Sequence, residues 1–228
     1  MRLLVSPRDV EEAKRSLAAD IIDVKRPAEG SLGANFPWII RAIKEISVKP
    51  VSAAIGDFDF KPGGAALAAY GAAHTGADYV KVGLMFDGTA RAAEFIAAVV
   101  RAVKEEFPGK YVVISSYSDY ARLGTISPFT MAPLAAAAGA DVAMVDTGIK
   151  DGKSTFEFMS EESLREFVGM NREAGLMTAL AGSLGFEHLS ALKRINPDII
   201  GVRGMVCGGK REESIQEDLV VQLARMVG

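Results

Sequence analysis

The stretch DIIDVKRPAEGSLGAN, residues 20–35, passes within a few residues from the pattern of a buried strand to that of a loop. Ile21 to Val24 have the period and composition of a buried strand, whereas Pro27, Gly30 and Gly33 prevent a regular element from forming. Lys25 is therefore expected at the end of a strand, facing a loop. A lysine in that place is more often a solvated surface charge than a functional group.

The order of one strand followed by one helix recurs along the chain. Eight apolar runs predict strands at residues 2–5, 21–24, 51–55, 78–83, 111–115, 141–146, 177–181 and 198–203. Helical spacing then predicts helices at about residues 9–18, 35–46, 65–75, 89–107, 127–138, 160–174, 187–194 and 213–226. Asn35 is the expected cap of the second helix, with Pro37 in its first turn.

Strict alternation with short connections, and strands that are apolar on both faces, indicates a parallel sheet covered by helices. Eight strand–helix pairs in 228 residues leave no room for a second domain, and an open doubly wound sheet seldom reaches eight pairs. The sequence therefore predicts an α/β protein in which residues 1–228 form a single (β/α)8 TIM barrel domain.

Composition excludes several classes of function. The chain is 49% hydrophobic and 24% charged, as expected of a soluble globular protein, and a net charge of −3 without a basic run does not attract nucleic acid. One cysteine, Cys207, excludes an internal disulfide, and two histidines argue against a metal site. Neither a signal peptide nor an apolar run of roughly 20 residues is present, so a cytoplasmic protein without a membrane partner is expected. The oligomeric state stays open, with a homo-oligomer as one outcome.

In a (β/α)8 barrel the loops after the strands open onto one face, where active sites lie. Lys81, in YVKVG, occupies the same place in its run as Lys25 does, so the two lysines are expected to share a pocket. Like charges held close together in a partly dry site disfavour the ammonium form. A neutral lysine amine is nucleophilic enough to form a Schiff base near neutral pH.

Further charged residues are expected on the same face. Asp146 ends the sixth strand, and a carboxylate among lysines can orient an ammonium group and carry protons, although by position it could equally cap the following turn. Lys150 and Lys153 lie on the Gly-rich loop DTGIKDGKST, where lysines are usually only solvated. Asp57 and Asp119 are interpreted first as turn-forming residues.

The loops after the last two strands indicate a phosphate site. GSL after the seventh strand, and RG with a later GG after the eighth, offer backbone N–H groups and one guanidinium where this fold often binds phosphate. The residues concerned are Gly182, Ser183, Arg203, Gly204, Gly208 and Gly209, with Arg203 either closing the site or bracing it. Such glycines also serve plain turn geometry. Together with the lysine pair, these loops favour a small phosphorylated carbonyl compound as substrate.

Five segments, in order along the chain, resemble the (5-formylfuran-3-yl)methyl phosphate synthase family of methanofuran biosynthesis. They are DVKRPAEGSLGAN, DYVKVG, VDTGIKDGK, LAGSL and GVRG, and the resemblance runs nearly end to end. It implies a (β/α)8 lyase that makes the furan ring of methanofuran from two molecules of glyceraldehyde 3-phosphate, without a metal or organic cofactor. The run SLAADIIDV before the second strand looks shorter than in family members that carry a glycine pair there.

The resemblance also implies roles for individual residues. Lys25 matches the family's Schiff-base lysine, and Lys81 matches its second catalytic lysine, a proton acceptor. Asp146 and Lys150 match the aspartate and the lysine of the DT-x-IKDGK string. From the residues alone, two other functions stay open. One is a class I aldolase or an enzyme similar to triose-phosphate isomerase, and the other is a non-catalytic barrel that binds a sugar phosphate and regulates a partner.

Overall fold

A computed structural model describes residues 1–228, and it contains a closed barrel of eight parallel strands. The strands are β1 (Arg2–Val5), β2 (Ile21–Val24), β3 (Val51–Phe58), β4 (Tyr79–Leu84), β5 (Tyr111–Tyr117), β6 (Val142–Asp146), β7 (Met177–Leu180) and β8 (Ile199–Val202). Neighbouring strands follow the order of the chain, and β8 pairs back with β1 to close the barrel. The predicted (β/α)8 barrel is confirmed, although β3 and β5 run further than predicted.

Nine helices surround the barrel. They are α1 (Val10–Arg15), α2 (Pro37–Ile46), α3 (Pro62–His74), α4 (Thr89–Lys104), α5 (Tyr120–Leu123), α6 (Pro128–Ala137), α7 (Glu161–Glu173), α8 (Leu189–Ile195) and α9 (Glu217–Val227). The short α5 lies between the strand predicted at residues 111–115 and the helix predicted at residues 127–138, where the sequence predicts no element. The last helix begins later than predicted because a 3-10 turn, Gly204–Val206, and a further loop come first. None of these helices has both the length and the apolar character needed to cross a membrane.

The start of α2 differs from the prediction at its cap. Phe36, not Asn35, is the capping residue, and Pro37 is the first helical residue as predicted. The Asn35 side-chain amide instead donates to the carbonyl oxygen of Arg8 at 2.7 Å, and its Oδ1 accepts from the Phe36 amide at 2.9 Å. Asn35 therefore ties the loop that follows Lys25 to the loop after β1.

The helices cover the outside of the barrel with apolar faces. The apolar stripe of α4 is buried in full, and it consists of Ala92, Phe95, Ile96, Val99, Val100 and Val103. Each fully buried Val, Ile or Phe side chain contributes roughly 1.5–3 kcal/mol relative to its exposed state. This outer core leaves the strands free to carry polar residues on their inner faces near one rim.

The inside of the barrel changes from apolar to charged along the even-numbered strands. Alternate residues of a strand point to the same face, and such residues fill a (β/α)8 barrel in layers of four. The layer at the amino-terminal end is Ile21, Tyr79, Val142 and Ile199. Two residues further along each strand the layer is Asp23, Lys81, Met144 and Gly201, and two further still it is Lys25, Gly83, Asp146 and Arg203. The candidate site is therefore the continuation of the barrel core.

An aspartate before each even-numbered strand closes the opposite rim. Each carboxylate accepts a hydrogen bond of 2.6 to 2.8 Å from a backbone amide at the start of the preceding odd-numbered strand. The pairs are Asp20 with Leu3, Asp78 with Val51, Asp141 with Val112, and Asp198 with Thr178. Because this hydrogen bond recurs at every second strand, it joins the strands in pairs. These four aspartates therefore stabilise the fold.

Candidate active site

A cavity of about 640 Å³ opens at the carboxyl ends of the strands. All ten residues predicted from the sequence line it, although they come from six loops and strands that are far apart in the chain. They are Lys25, Lys81, Asp146, Lys150, Gly182, Ser183, Arg203, Gly204, Gly208 and Gly209. Lys153, the other lysine of the Gly-rich loop, is exposed and does not line the cavity.

Lys25 carries a buried amine that no carboxylate contacts directly. The residue follows β2 and is 7% exposed, and the hydrogen bond of its Nζ runs to the carbonyl oxygen of Ser31 at 3.4 Å. Burial lowers the pKa of Lys25 to about 7, against the attraction of Asp146 and with the help of the Lys81 charge. The predicted lowering is therefore present, but removal from water is a larger cause than the second lysine. A substantial fraction of this amine is neutral near pH 7.

Lys81 lies inside the barrel and not at a strand end as predicted, because β4 continues for three residues beyond it. Its Nζ donates to Asp23 Oδ2 at 2.7 Å, and both side chains are almost wholly buried. Asp23 also accepts from Ser6 Oγ at 2.8 Å and from Ser52 Oγ at 2.7 Å. Burial alone would raise the pKa of Asp23, but the Lys81 and Lys25 charges outweigh it and hold that pKa below its usual value. The result is a buried ion pair one layer beneath Lys25.

Asp146 and Lys150 form a second ion pair at the rim. Lys150 Nζ donates to Asp146 Oδ1 at 2.6 Å and to Thr147 Oγ1 at 3.0 Å, and the Thr147 amide donates to the same carboxylate oxygen at 2.8 Å. Burial pushes the pKa of Asp146 upward, but Lys150 and Lys25 outweigh it and lower that pKa to about 2. The other oxygen, Oδ2, makes no hydrogen bond within the chain, so it is available to a bound molecule.

Asp119 fixes the loop that carries Lys150. Its two carboxylate oxygens accept from the amides of Gly148 at 2.7 Å and Ile149 at 3.0 Å. Because Asp119 is almost fully buried, it holds this turn in one place. The interpretation of Asp119 as a turn-forming residue is confirmed, and the turn it forms is the one that brings Lys150 to Asp146.

Asp57 was also predicted to form a turn, but it lies within β3 and joins separate segments. It accepts hydrogen bonds from the buried hydroxyl of Tyr117 and, at 3.0 Å, from the amide of Leu32 in the loop after Lys25. Burial, and next the Asp57 charge, raise the pKa of Tyr117 well above its usual value, so its hydroxyl stays protonated. Gly83 leaves room for this contact, because a Cβ there would lie 2.0 Å from the Tyr117 hydroxyl oxygen.

The backbone amides along the cavity that have no acceptor within the chain include four on the loops after β7 and β8: those of Gly182, Ser183, Leu184 and Gly204. Gly182 and Ser183 both have left-handed backbone angles, with φ of 98° and 48°. A Cβ at Gly182 would lie 2.3 Å from Thr155 Oγ1, so only glycine fits there. We refer to the loop of residues 182–184 together with Gly204 as the amide cradle. Such free N–H groups are suited to bind an anion.

Arg203 does not offer its guanidinium to an anion, which favours the bracing role expected for it over the closing one. Nε donates to the Arg211 carbonyl oxygen at 2.7 Å, and Nη1 donates to the Ser6 carbonyl oxygen and to Glu12, both at 2.7 Å. Nη2 donates to Glu12 and to the Glu213 carbonyl oxygen, both at 3.3 Å. These bonds use all five N–H donors that an arginine has. Arg203 therefore braces the loops after β1 and β8.

Comparisons with known proteins show the family of this chain. The family model described as 4-HFC-P synthase matches residues 3–224. A relative from Methanosarcina acetivorans is 59% identical over 98% of this chain and 97% of its own length. A relative from Methanocaldococcus jannaschii is 52% identical over 99% of both chains. Both are named (5-formylfuran-3-yl)methyl phosphate synthase. The chain belongs to this synthase family.

Solved structures similar to this member of the synthase family share its fold. A 3-hexulose-6-phosphate synthase superposes with a TM-score of 0.70 at 20% identity over the full length of both chains. An orotidine 5′-monophosphate decarboxylase from Methanocaldococcus jannaschii gives the same TM-score at 16% identity over 100% of this chain and 98% of its own. At this level of identity the likeness extends to the barrel alone.

Reasoning from the sequence missed Asp23, which lies beneath Lys25 in this candidate site. It was assigned to the buried strand IIDV without a role, although an acid in a strand that is buried on both faces needs a partner. A signal was present, because Asp23 is two residues before Lys25 and so shares its face of the strand. By the same rule, Lys81 shares a face of its strand with Tyr79, two residues before it. Asp23 and Lys81 are each a charged residue in an otherwise apolar run, which favours a pairing between them.

Proposed function

We propose that this chain is a (5-formylfuran-3-yl)methyl phosphate synthase that acts as a lyase in methanofuran biosynthesis. It would condense two molecules of glyceraldehyde 3-phosphate, with loss of one phosphate and two waters, through a Schiff base on Lys25. The observation that supports this most strongly is the Lys25 amine, which is buried, free of a carboxylate and lowered in pKa to about 7. A lysine in this condition is the group that imine chemistry requires.

The atoms balance without an oxidant or a reductant. Two triose phosphates contain six carbons and two phosphoryl groups, whereas the furan product keeps six carbons and one phosphoryl group. The difference is one phosphoric acid and two waters, so each loss is an elimination or a dehydration. This stoichiometry fits a site whose chemistry comes from lysines and carboxylates.

The Lys25 imine would drive both the carbon–carbon bond and the eliminations. The neutral amine adds to the aldehyde carbon of one triose, and the carbinolamine loses water to give an iminium ion. The iminium acidifies the neighbouring carbon, and the resulting enamine can attack the aldehyde carbon of the second triose. The same conjugation assists loss of groups on the β-carbon, and hydrolysis of the final imine returns Lys25 as an amine.

Two ion pairs would move the protons. Asp146 lies close enough to Lys25 to influence its pKa, and its Oδ2 is free, so it is placed to take a proton from the carbinolamine or from the acidified carbon. Lys150 holds that carboxylate in position from the other side. Lys81 carries a proton in its pair with Asp23 and can pass it to a departing hydroxyl group or regain one from carbon.

The amide cradle would hold the phosphoryl group of one triose. Its four amides come from the loops after β7 and β8, which is where this fold often binds phosphate. Gly208 and Gly209, with left-handed φ angles of 69° and 93°, turn the chain behind Gly204, whose carbonyl oxygen accepts from the Gly209 amide at 2.8 Å. Arg203 braces the loop after β8 through the carbonyl oxygens of Arg211 and Glu213.

The test is to incubate the protein with glyceraldehyde 3-phosphate alone. We expect a furan absorbance to grow together with one inorganic phosphate for each furan, in wild type and in a Lys153→Ala control, whose lysine is exposed outside the cavity. Lys25→Ala should give neither product. An aldolase or an isomerase would consume the triose without releasing phosphate, and a non-catalytic barrel would leave it unchanged. Either result would overturn the proposed function.

A further inference from the structure

The proposed reaction places two phosphoryl groups in one cavity, whereas the amide cradle holds only one of them in the proposed mechanism. A second anion in a partly buried site needs a cation of its own. Six basic side chains line the cavity, and they are Lys25, Lys81, Lys150, Arg203, Lys210 and Arg211. The one that serves the second phosphoryl group must have N–H donors that are not already used.

Four of the six are committed to carboxylates. Lys81 pairs with Asp23, Lys150 with Asp146, and Arg203 with Glu12. Lys210 pairs with Glu213 at 3.3 Å, and its side chain is 75% exposed. Lys25 is reserved for the imine in the proposed mechanism. Arg211 is left as the cation without a carboxylate partner.

Arg211 is held in place by backbone carbonyls and keeps free donors. Nη2 donates to the carbonyl oxygens of Pro27 and Gly30, both at 3.2 Å, whereas Nε and Nη1 make no hydrogen bond within the chain. The Arg211 carbonyl oxygen in turn accepts from Arg203 Nε at 2.7 Å. The fully used Arg203 therefore fixes the backbone of Arg211, and the loop after β2 fixes its guanidinium.

The backbone of Arg211 lies beside Gly204, but its guanidinium reaches towards the loop after β2 and away from residues 182–184 of the amide cradle. Pro27 and Gly30 belong to the loop after β2, whereas Gly182 to Leu184 follow β7, and β8 and β1 lie between these strands in the barrel. Two phosphoryl dianions repel each other strongly in a partly dry cavity, so sites at different loops lower that repulsion. The planar fork of an arginine also matches two oxygens of a phosphoryl group.

We propose that Arg211 binds the phosphoryl group of the second triose, on the side of the cavity formed by the loop after β2. This assignment rests on the proposed function, since only a reaction of two triose phosphates needs a second anion site. Burial lowers the pKa of Arg211 and the Asp146 charge opposes that lowering, which places the guanidinium within electrostatic reach of the reacting centre. Arg211 is then a binding residue for the triose that the enamine attacks.

The test compares Arg211→Gln with Lys210→Gln, adjacent variants that each remove one positive charge. The glutamine side chain keeps an N–H donor for the carbonyl oxygens of Pro27 and Gly30. It lacks the free guanidinium donors that would bind a phosphoryl group. We expect Arg211→Gln to lower kcat/KM for furan formation about tenfold to a hundredfold. Borohydride trapping of one triose on Lys25 should stay within about twofold of wild type, because the first triose uses the amide cradle. Lys210→Gln should match wild type in both assays.

Two results would overturn the assignment. One is wild-type kcat/KM in Arg211→Gln, and the other is an equal loss of trapping and turnover, which would place Arg211 at the first triose or in the fold. Arg211→Lys, which keeps the charge without the fork, should recover part of the activity, and a melting curve of each variant checks that it folds.

Titration with inorganic phosphate separates this inference from the proposed function, because it needs no turnover. Wild type should bind two phosphates and Arg211→Gln one, whether or not any furan forms. If wild type forms no furan, the proposed function fails while the phosphate count still tests Arg211. Equal phosphate stoichiometry in the two proteins would contradict the second site.

Discussion

Replacing Lys25 by methionine should stabilise the protein, and by more at about pH 6 than at about pH 9. The folded-state pKa of Lys25 is about 7, below the 10.5 of an unperturbed lysine. The unfolded chain therefore binds more protons than the folded chain between these values, and the free energy of unfolding of wild type rises with pH across that interval. Below about pH 7 the full cost of burying the ammonium group applies.

The size of the effect follows from the pKa. A fall in the pKa of Lys25 from 10.5 to about 7 corresponds to roughly 5 kcal/mol of destabilisation of the folded protein below pH 7. At about pH 9 roughly 2 kcal/mol of this destabilisation remains. Methionine has a similar length and no charge, so Lys25→Met removes this cost at both values. The stabilisation should therefore differ by about 3 kcal/mol between the two conditions, or about 6–12 °C in Tm for a chain of this size.

Urea unfolding of wild type, Lys25→Met and Lys153→Met at the two pH values measures this difference. Lys153 is exposed on the same face of the barrel, so its variant should follow the wild-type dependence on pH. Parallel pH profiles for wild type and Lys25→Met would show that Lys25 has an ordinary pKa in the folded protein. That outcome would refute the reasoning that its amine is neutral near pH 7.

Two further variants test the ion pair beneath Lys25 and the amide cradle. Asp23→Asn should lower the free energy of unfolding by about 3–5 kcal/mol, because it leaves Lys81 buried without a counter-ion. The double variant Asp23→Leu with Lys81→Met should recover most of that free energy, measured by urea unfolding, but should not recover activity. An Asp23→Asn variant as stable as wild type would argue against a charged pair. Gly204→Val should raise KM for triose phosphate about tenfold to a hundredfold and weaken competitive inhibition by inorganic phosphate. The φ angle of Gly204 is not left-handed and a Cβ there meets no atom closer than 3.8 Å, so the Tm of Gly204→Val should equal that of wild type. A lowered Tm with a normal KM would mean that Gly204 serves only the geometry of the turn.

The barrel could be predicted from the sequence because its information is local. Each buried strand appears as a short apolar run, each helix as an apolar stripe such as that of α4, and each boundary as a Gly, Pro or capping residue. The errors occur where contacts distant in sequence decide the outcome. Asn35 reads as a cap by its type, but the carbonyl oxygen of Arg8, which lies far along the chain, takes its side-chain amide.

The candidate site was predictable in its members but not in its pairings. The strand-end rule brings Lys25, Asp146 and Lys150 to one rim, but it does not show which amine has a carboxylate and which is free. Lys81 was expected at the rim because its place in an apolar run matches that of Lys25, whereas β4 continues for three residues beyond it. Its partner Asp23 is 58 residues away in the chain.

The roles of Arg203 and Arg211 depend on contacts between residues that are even further apart in the sequence. Glu12, which occupies the Arg203 guanidinium, is 191 residues away in sequence and lies on a different element. Sequence spacing shows that an arginine follows β8, but only the folded chain shows that all its donors are used. For the same reason Arg211, in a loop without a recognisable motif, could not be singled out from the sequence.

Borohydride reduction in the presence of glyceraldehyde 3-phosphate, followed by peptide mapping, tests the Schiff base most directly. The peptide that contains Lys25 should carry one reduced triose, and Lys25→Ala, altered only at a side chain in the mouth of the cavity, should fold and carry none. A reduced triose on Lys81 or Lys150 in wild type, or one that persists in Lys25→Ala, would contradict the assignment of Lys25 as the nucleophile.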